Sequence, residues 1–274
     1  MSYFIQHKGL KLITYGWIGF IAENLLLSHN RDIIIQRIGD KKYHILYSLL
    51  STFTCGFVSY GYFKYGRRQG PIWFNVQRNR LLRWSGFILL STGYVGFSQF
   101  FPKFQSPFAI QPVEKETNSR SDGGRELQEK GFKLREWNFH PRCPLDFKTN
   151  HDLVNEVSGL ERVTRHPAFW SLGFTGVGLA LTTMYACETV LFGMFGVFAL
   201  IGSAHQDYRF RKGSGGSLSM DMEAQTSNIP FLALLLERQS WKKLINELKL
   251  TNASLALFLS WLIYARRIKK LSLQ

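Results

Sequence analysis

Apolar residues along the chain gather in blocks of helical length, each closed by charge. Six such blocks stand out, at residues 12–27, 45–63, 84–101, 168–185, 189–203 and 250–265. Several fall near or below the roughly 20 residues that usually cross a bilayer, but short spans are tolerated where flanking polar side chains snorkel or the bilayer thins. The pattern predicts an all-α fold: a polytopic membrane helix bundle with six transmembrane helices. The third block stops at Pro102, and the fourth begins just after Pro167. A seventh apolar run, 229–236, is too short to cross. It belongs to a segment, 228–249, read as re-entrant or interfacial, whose end (WKKLINELKL, 241–250) is amphipathic and suited to the membrane surface. Small residues stripe the fourth and fifth blocks (Gly173, Gly176, Gly178, then Gly193, Gly196, Gly202) and predict close backbone packing.

Polar stretches separate the blocks. Residues 103–150 read as an extramembrane loop, and 106–144, with Pro107, Pro112 and the run 119–124, as irregular or partly disordered. Residues 152–163 recover helical periodicity, with Leu153, Val157, Leu160 and Val163 on one face, and predict an interfacial helix. Residues 209–219 read as a Gly/Ser/basic linker.

Composition supports the membrane reading. The 274 residues are 45% hydrophobic and 15% aromatic, with a formal charge of +15. Mean hydropathy is nevertheless near zero, −0.09, because charged loops offset the apolar blocks. The 34 Lys and Arg cluster at block ends rather than in one patch, which argues against a nucleic-acid partner. Three scattered cysteines (Cys55, Cys143, Cys187) form neither a disulfide framework nor a paired metal motif.

Charge also predicts orientation. With six spans, one side (side A) holds the N-terminus, the loop 64–83, the turn at Cys187 and the C-terminus. It carries twelve Lys and Arg against one nearby acid, Glu188. The other side (side B) carries Asp32, Asp40 and ten acids between Glu114 and Glu161. The positive-inside rule places side A, with both termini, in the cytoplasm, matrix or stroma. The first apolar run ends without a small-residue cleavage site, so no signal peptide is evident.

Four histidines, His29, His44, His166 and His205, fall at the side-B ends of their blocks. Neutral imidazole ligates haem iron and other transition metals, so a facing pair could clamp a haem; interfacial anchoring is the competing reading. Glu23 lies inside the first block, where an ionisable group is costly and marks a site by default. Arg165 or Arg31 is its expected partner, as an ion pair that pins the first helix. Pro167 is a good first-turn residue, which leaves Arg165 and His166 at a helix start. The run 213–216 lacks phosphate-loop spacing, and no GxSxG, HExxH or paired-cysteine motif occurs, so hydrolase and zinc chemistry have no support.

Residues 159–170 (GLERVTRHPAFW) resemble the TRHP signature of the NnrU family, whose members include 15-cis-ζ-carotene isomerase. Residues 226–239 (TSNIPFLALLLERQ) resemble that family's TSxIPF segment with its closing Arg-Gln, and residues 31–60 its Arg-Asp start of the second helix. The resemblance covers most of the chain in order, apart from 106–144. It implies a polytopic membrane protein that, in the plant isomerase, binds haem b and isomerises a polyene. The ligand pattern carries over only in part. The family's histidine before Arg-Asp corresponds to Asn24-Leu25 here, its second helix histidine to Gly178-Leu179, and its Asn-Gly-Asp turn to Ala186-Cys187-Glu188. Only His166 matches. If haem b is bound, His166, His29 and His205 are its candidate ligands, and with the usual positions lost none is expected.

Two functions follow from the resemblance. The first is a non-catalytic subunit or scaffold in a respiratory or photosynthetic membrane complex, in a mitochondrial or plastid inner membrane, with the bilayer and other subunits as partners. The alternative is a haem-dependent cis-trans isomerase of a carotenoid or related polyene. A transporter has only Glu23 in its favour, without a broken-helix repeat.

Overall fold

The computed structural model describes residues 7–73, 76, 79–100, 108–112, 137–141 and 157–272. Helix α1 (Lys8–His29) starts where the His7 ring accepts the Leu10 amide at 3.3 Å. A short α2 (Arg31–Ile38) leads through Gly39 into α3 (Asp40–Gly61), which ends in a π turn, Tyr62–Gly66. Asn79 caps α4 (Arg80–Gln99) by accepting the Leu82 amide. A 3-10 turn (Gly159–Arg162) precedes α5 (Pro167–Ala180), α6 (Ala186–Arg211) and the short α7 (Met220–Gln225) and α8 (Leu232–Leu235). The chain ends in α9 (Trp241–Glu247) and α10 (Leu250–Ser272).

The helices pack as a row: α3 on α1, α1 on α6, α6 on α5, α5 on α4, α4 on α10. Where α1 meets α6, Ile13, Trp17, Ile21, Val58, Cys187 and Phe198 form a buried cluster. The Trp17 indole donates to the Leu191 carbonyl at 3.1 Å and meets Phe195 edge-on at 4.7 Å between ring centroids. Further along the row the glycine stripe does the packing. A Cβ on Gly178 would stand 2.4 Å from the Leu90 amide nitrogen, and one on Gly93 2.5 Å from that of Thr175, so α4 and α5 touch backbone to backbone. The outer helices expose large apolar side chains, among them Leu49 and Phe53 on α3 and Leu255, Phe258 and Trp261 on α10, a surface suited to lipid rather than water.

Among the described residues two helices, α1 and α6, are long and apolar enough to cross a membrane. The α9–α10 pair, whose halves meet at 85°, adds a third if it is one broken span. The helices outrun their apolar blocks. Helix α1 passes through Glu23 and Asn24, where Ser51, Thr54 and Tyr47 of α3 bond to Glu23 Oε1 and Asn24 Oδ1. Helix α6 continues eight residues past 203, so 209–211 belong to it rather than to a linker. Helix α5, in contrast, ends at Ala180, and Tyr185 is extended, bridged to Ile72.

The fold is helical with one exception. Residues 105–147 form a unit of their own, in which β1 (Phe108–Pro112) pairs antiparallel with β2 (Trp137–Pro141), Phe108 opposite Pro141. The expected irregular loop therefore holds a two-stranded ladder. Its signal was a short period-2 alternation of β-favouring residues, Phe108 with Ile110 and Trp137 with Phe139, hidden by the polar stretch between. The rest of 106–144, and residues 152–156 of the expected interfacial helix, lie outside the described residues; 159–162 form the 3-10 turn.

Candidate functional site

The TRHP run and the TSNIPF run fold as one unit. The Arg165 amide donates to the Ser227 carbonyl at 2.9 Å, the Thr164 hydroxyl to the Asn228 carbonyl at 2.6 Å, and the Phe231 amide to the Val163 carbonyl at 2.8 Å. The Trp170 indole donates to Asn228 Oδ1 at 3.2 Å. Phe231 is held at φ 65°, a conformation that costs a non-glycine residue about 1–3 kcal/mol. Its amide bond to Val163 and the Trp241 ring, near-parallel at 6.4 Å, fix it there.

Asp207 of α6 closes this unit. Its Oδ2 accepts Arg165 Nη2 at 3.0 Å, and its Oδ1 meets His166 Nε2 at 2.6 Å. His166 and Asp207 are buried, Asp207 with 5% of its side chain exposed, and Arg165 is half-buried with 10% exposed. Arg165 Nη1 also reaches the carbonyls of Glu223 and Thr226 at 3.4 Å, while Arg165 Nε is buried without a partner. A second ion pair lies a turn away. Arg162 grips Glu247 through Nε at 2.9 Å and Nη2 at 2.7 Å, and the Gly159 amide adds a 2.6 Å bond to Glu247 Oε2. Arg162 Nη1 donates to Gln239 Oε1 at 2.6 Å. The Arg162 hydrogen bonds, helped by the Gly159 amide, hold the Glu247 carboxyl below the usual carboxylate range.

Glu23 is placed differently from the expectation. It is paired with neither Arg165 nor Arg31. Ser51 donates to its Oε1 at 2.7 Å from α3, Thr54 and Asn24 lie at 3.4 Å, and Oε2 is buried without a partner. Asn24 is in turn bonded to Tyr47 and to the Phe20 carbonyl. Glu23 thus ties α1 to α3 through hydroxyls, whereas Arg165, just before α5, pairs with Asp207 of α6.

The three candidate histidines separate into two groups. His205 and Asp207 are two residues apart on α6, about 200° around the helix, and so face opposite ways. Asp207 takes His166 on the α5 side. His205 turns to α1, where its Nε2 meets Ser28 Oγ at 3.0 Å and its ring centroid lies 5.9 Å from that of His29. His29 also stacks near-parallel with Tyr208 at 6.0 Å. At the opposite end of the bundle, Glu188 accepts Thr183 at 2.8 Å and Arg267 Nη2 at 3.4 Å.

Sequence reasoning overlooked Asp207, although it is the sole acid between residues 189 and 211. It also overlooked Arg162, Gln239 and Glu247, which carry no local signal because their partners are distant in sequence.

These features define a helical protein with apolar, membrane-length helices, whose two signature runs are locked by a buried carboxylate. The model of the family described as NnrU protein matches residues 12–266, and the chain belongs to that family. No curated protein and no solved structure matches it.

The three candidate haem ligands do not converge as a set. His166 lies across α6 from His29 and His205, whose own rings approach each other with centroids 5.9 Å apart. The cleft beside His205 holds about 80 Å3, roughly half of the ~150 Å3 cavity that takes a benzene-sized guest. At Gly178, where the resemblance puts a second ligand, the α4 backbone fills the space a side chain would need. Among the described residues no three His, Cys, Asp or Glu side chains group as a metal site.

Proposed function

We propose that this NnrU-family chain is a six-span membrane protein acting as a non-catalytic subunit or scaffold of a membrane complex in an organellar inner membrane, with both termini on the matrix or stromal side. The observation that carries the reading is the pairing of His166 with Asp207 on the far side of α6 from the other candidate ligands. The signature imidazole serves a structural ion cluster that joins α5, α6 and the TSNIPF run. A scaffold keeps such a cluster, whereas a haem held by His166 requires a second histidine to converge on it.

The test is a visible absorption spectrum of the purified full-length protein, before and after dithionite, with a native gel of solubilised membranes. A spectrum without Soret and α/β bands, and migration in a larger assembly, are the expected results.

The second reading, a haem-dependent polyene isomerase, has one observation in its favour. A carboxylate bonded to one imidazole nitrogen is how metal sites orient a histidine ligand, and Asp207 stands in that relation to His166. Sharp reduced bands that vanish in His166→Ala would establish it and overturn the scaffold reading.

A further inference from the structure

Glu23 has donors on one of its oxygens and none on the other. It is half-buried in α1, a helix of 22 residues that at 1.5 Å per residue measures about 33 Å, close to the ~30 Å hydrocarbon core of a bilayer. His29 ends that helix, so Glu23 lies about 9 Å inside the end, at the depth of acyl chains.

All of its hydrogen bonds reach Oε1. Ser51 Oγ donates at 2.7 Å, while Thr54 Oγ1 and Asn24 Nδ2 stand at 3.4 Å. Thr54 shares its hydroxyl with the Leu50 and Ser51 carbonyls, both at 3.1 Å, and Asn24 gives its amide to the Phe20 carbonyl at 2.8 Å. The Ser51 bond is therefore the strong one. Oε2 is buried and has no partner. A carboxylate accepts at both oxygens, whereas in the neutral acid one oxygen accepts and the other carries hydrogen. The one-sided pattern is that of the acid.

No cation neutralises the group: among the described residues none stands within ion-pair distance of it. On α3 its titratable neighbours are Tyr47, which bonds to Asn24, and the Cys55 thiol. On α6, His205 and Arg209 meet α1 at Ser28, further along the helix. On α2, Arg31 pairs with Asp32 and Asp40, and Lys64 of the π turn bonds to Tyr60 at the opposite end. A metal cation needs several oxygen ligands, and Oε2 has no second oxygen beside it. A proton needs only one. An unmatched hydroxyl at this depth also costs far less than an unmatched charge.

We propose that Glu23 is a proton-binding site within the bundle: Oε2 holds a proton at neutral pH, and Oε1 is the carbonyl oxygen that Ser51 bonds. Loss of the proton leaves a charge between α1 and α3 that only hydroxyl and amide dipoles answer, so the packing of the two helices is tied to its occupancy. The site is independent of the scaffold-or-isomerase question, since Glu23 bonds to no member of the Asp207 cluster and to no candidate haem ligand.

The experiment uses the full chain in lipid nanodiscs. Infrared difference spectra of wild type minus Glu23→Gln are recorded at pH 7, in H2O and in D2O, with sodium chloride and with choline chloride. The expected result is a carboxylic-acid carbonyl stretch, above the amide bands, that moves down in D2O and is the same in both salts. Ser51→Ala, which takes the strong donor from Oε1, should move that stretch up, and Thr54→Ala should move it less. Carboxylate stretches in place of the acid band would overturn the proposal, and carboxylate stretches that depend on sodium would replace the proton by a metal cation. An acid band unmoved by Ser51→Ala would place the proton on Oε1 and refute the assignment of the two oxygens. If Glu23→Gln does not fold, wild type labelled with carbon-13 glutamate and compared with labelled Ser51→Ala gives the same two readouts with Glu23 in place.

Discussion

Asp207 bears on the fate of its neighbours more than any other single side chain described. It faces a guanidinium side chain 10% exposed and an imidazole 6% exposed, so removing its charge leaves Arg165 largely desolvated without its one carboxylate partner among the described residues. Breaking a buried pair from one side costs about 3–5 kcal/mol. Asp207→Asn should therefore lose about that much stability in a detergent melt, and a change under ~1 kcal/mol would show that water reaches the cluster. Glu247 makes a gentler, pH-dependent contribution. Its carboxyl is depressed by the Arg162 hydrogen bonds, so its stabilisation is fully present above the unfolded carboxylate value of about 4.3 and fades as pH falls through the lower folded value. Wild type and Glu247→Gln should differ in melting temperature at pH 6 and converge only as the pH falls through the depressed folded value; a difference that stays constant on acidification would assign the effect to packing rather than charge. His166 and Arg165 were legible in the sequence because the TRHP run is contiguous and ends at a helix-starting proline. Asp207 was not, since one acid at the end of an apolar block looks the same whether it meets water or an arginine from another helix.

At the scale of elements, hydrophobic blocks located the long helices but misplaced their ends by several residues. Hydropathy measures composition, whereas a helix continues as long as its backbone bonds and polar side chains are satisfied. Helix α1 shows the difference. Glu23 and Asn24 look like a break in the pattern, yet Ser51, Thr54 and Tyr47 on α3 answer them, and the helix continues to His29. The glycine stripe was readable as packing, but only the three-dimensional arrangement shows that Gly178 meets the α4 backbone, which no residue-by-residue pattern can reveal. The Glu23 geometry also changes an energetic expectation. An ion pair with Arg165 would make its loss cost several kcal/mol, whereas side-chain hydrogen bonds between membrane helices average about 0.6 kcal/mol. Glu23→Gln keeps a group able to accept from Ser51 and should cost under about 1 kcal/mol in the same melt. A loss of 3 kcal/mol or more would mean that Glu23 has a cationic partner after all.

For the whole molecule, the remaining question is which way the bundle faces. Helices α1 and α6 run parallel: His7 approaches Cys187 at their starts, Trp17 meets Leu191 midway and Ser28 meets His205 near their ends. Helix α3 runs back against α1, with Tyr43 bonded to the Leu27 carbonyl and Gly61 against Leu12. Helix α10 returns to the starting end, where Arg267 meets Glu188. The first and last described long helices thus have their outer ends at the same end of the bundle, the geometry of an even number of crossings. That end gathers the basic residues of the short loops, among them Lys8, Lys11, Lys64, Arg67, Arg266 and Lys269, with Glu188 as the nearby acid. Positive charge in short loops is retained on the side from which the chain inserts, and acids weigh little in the balance. Reporters fused separately to the N- and C-terminus should both report the inner, more negative compartment. Termini in different compartments would contradict the even count, and both termini outside would mean that the charge of the 103–150 segment, not that of the short loops, sets the orientation.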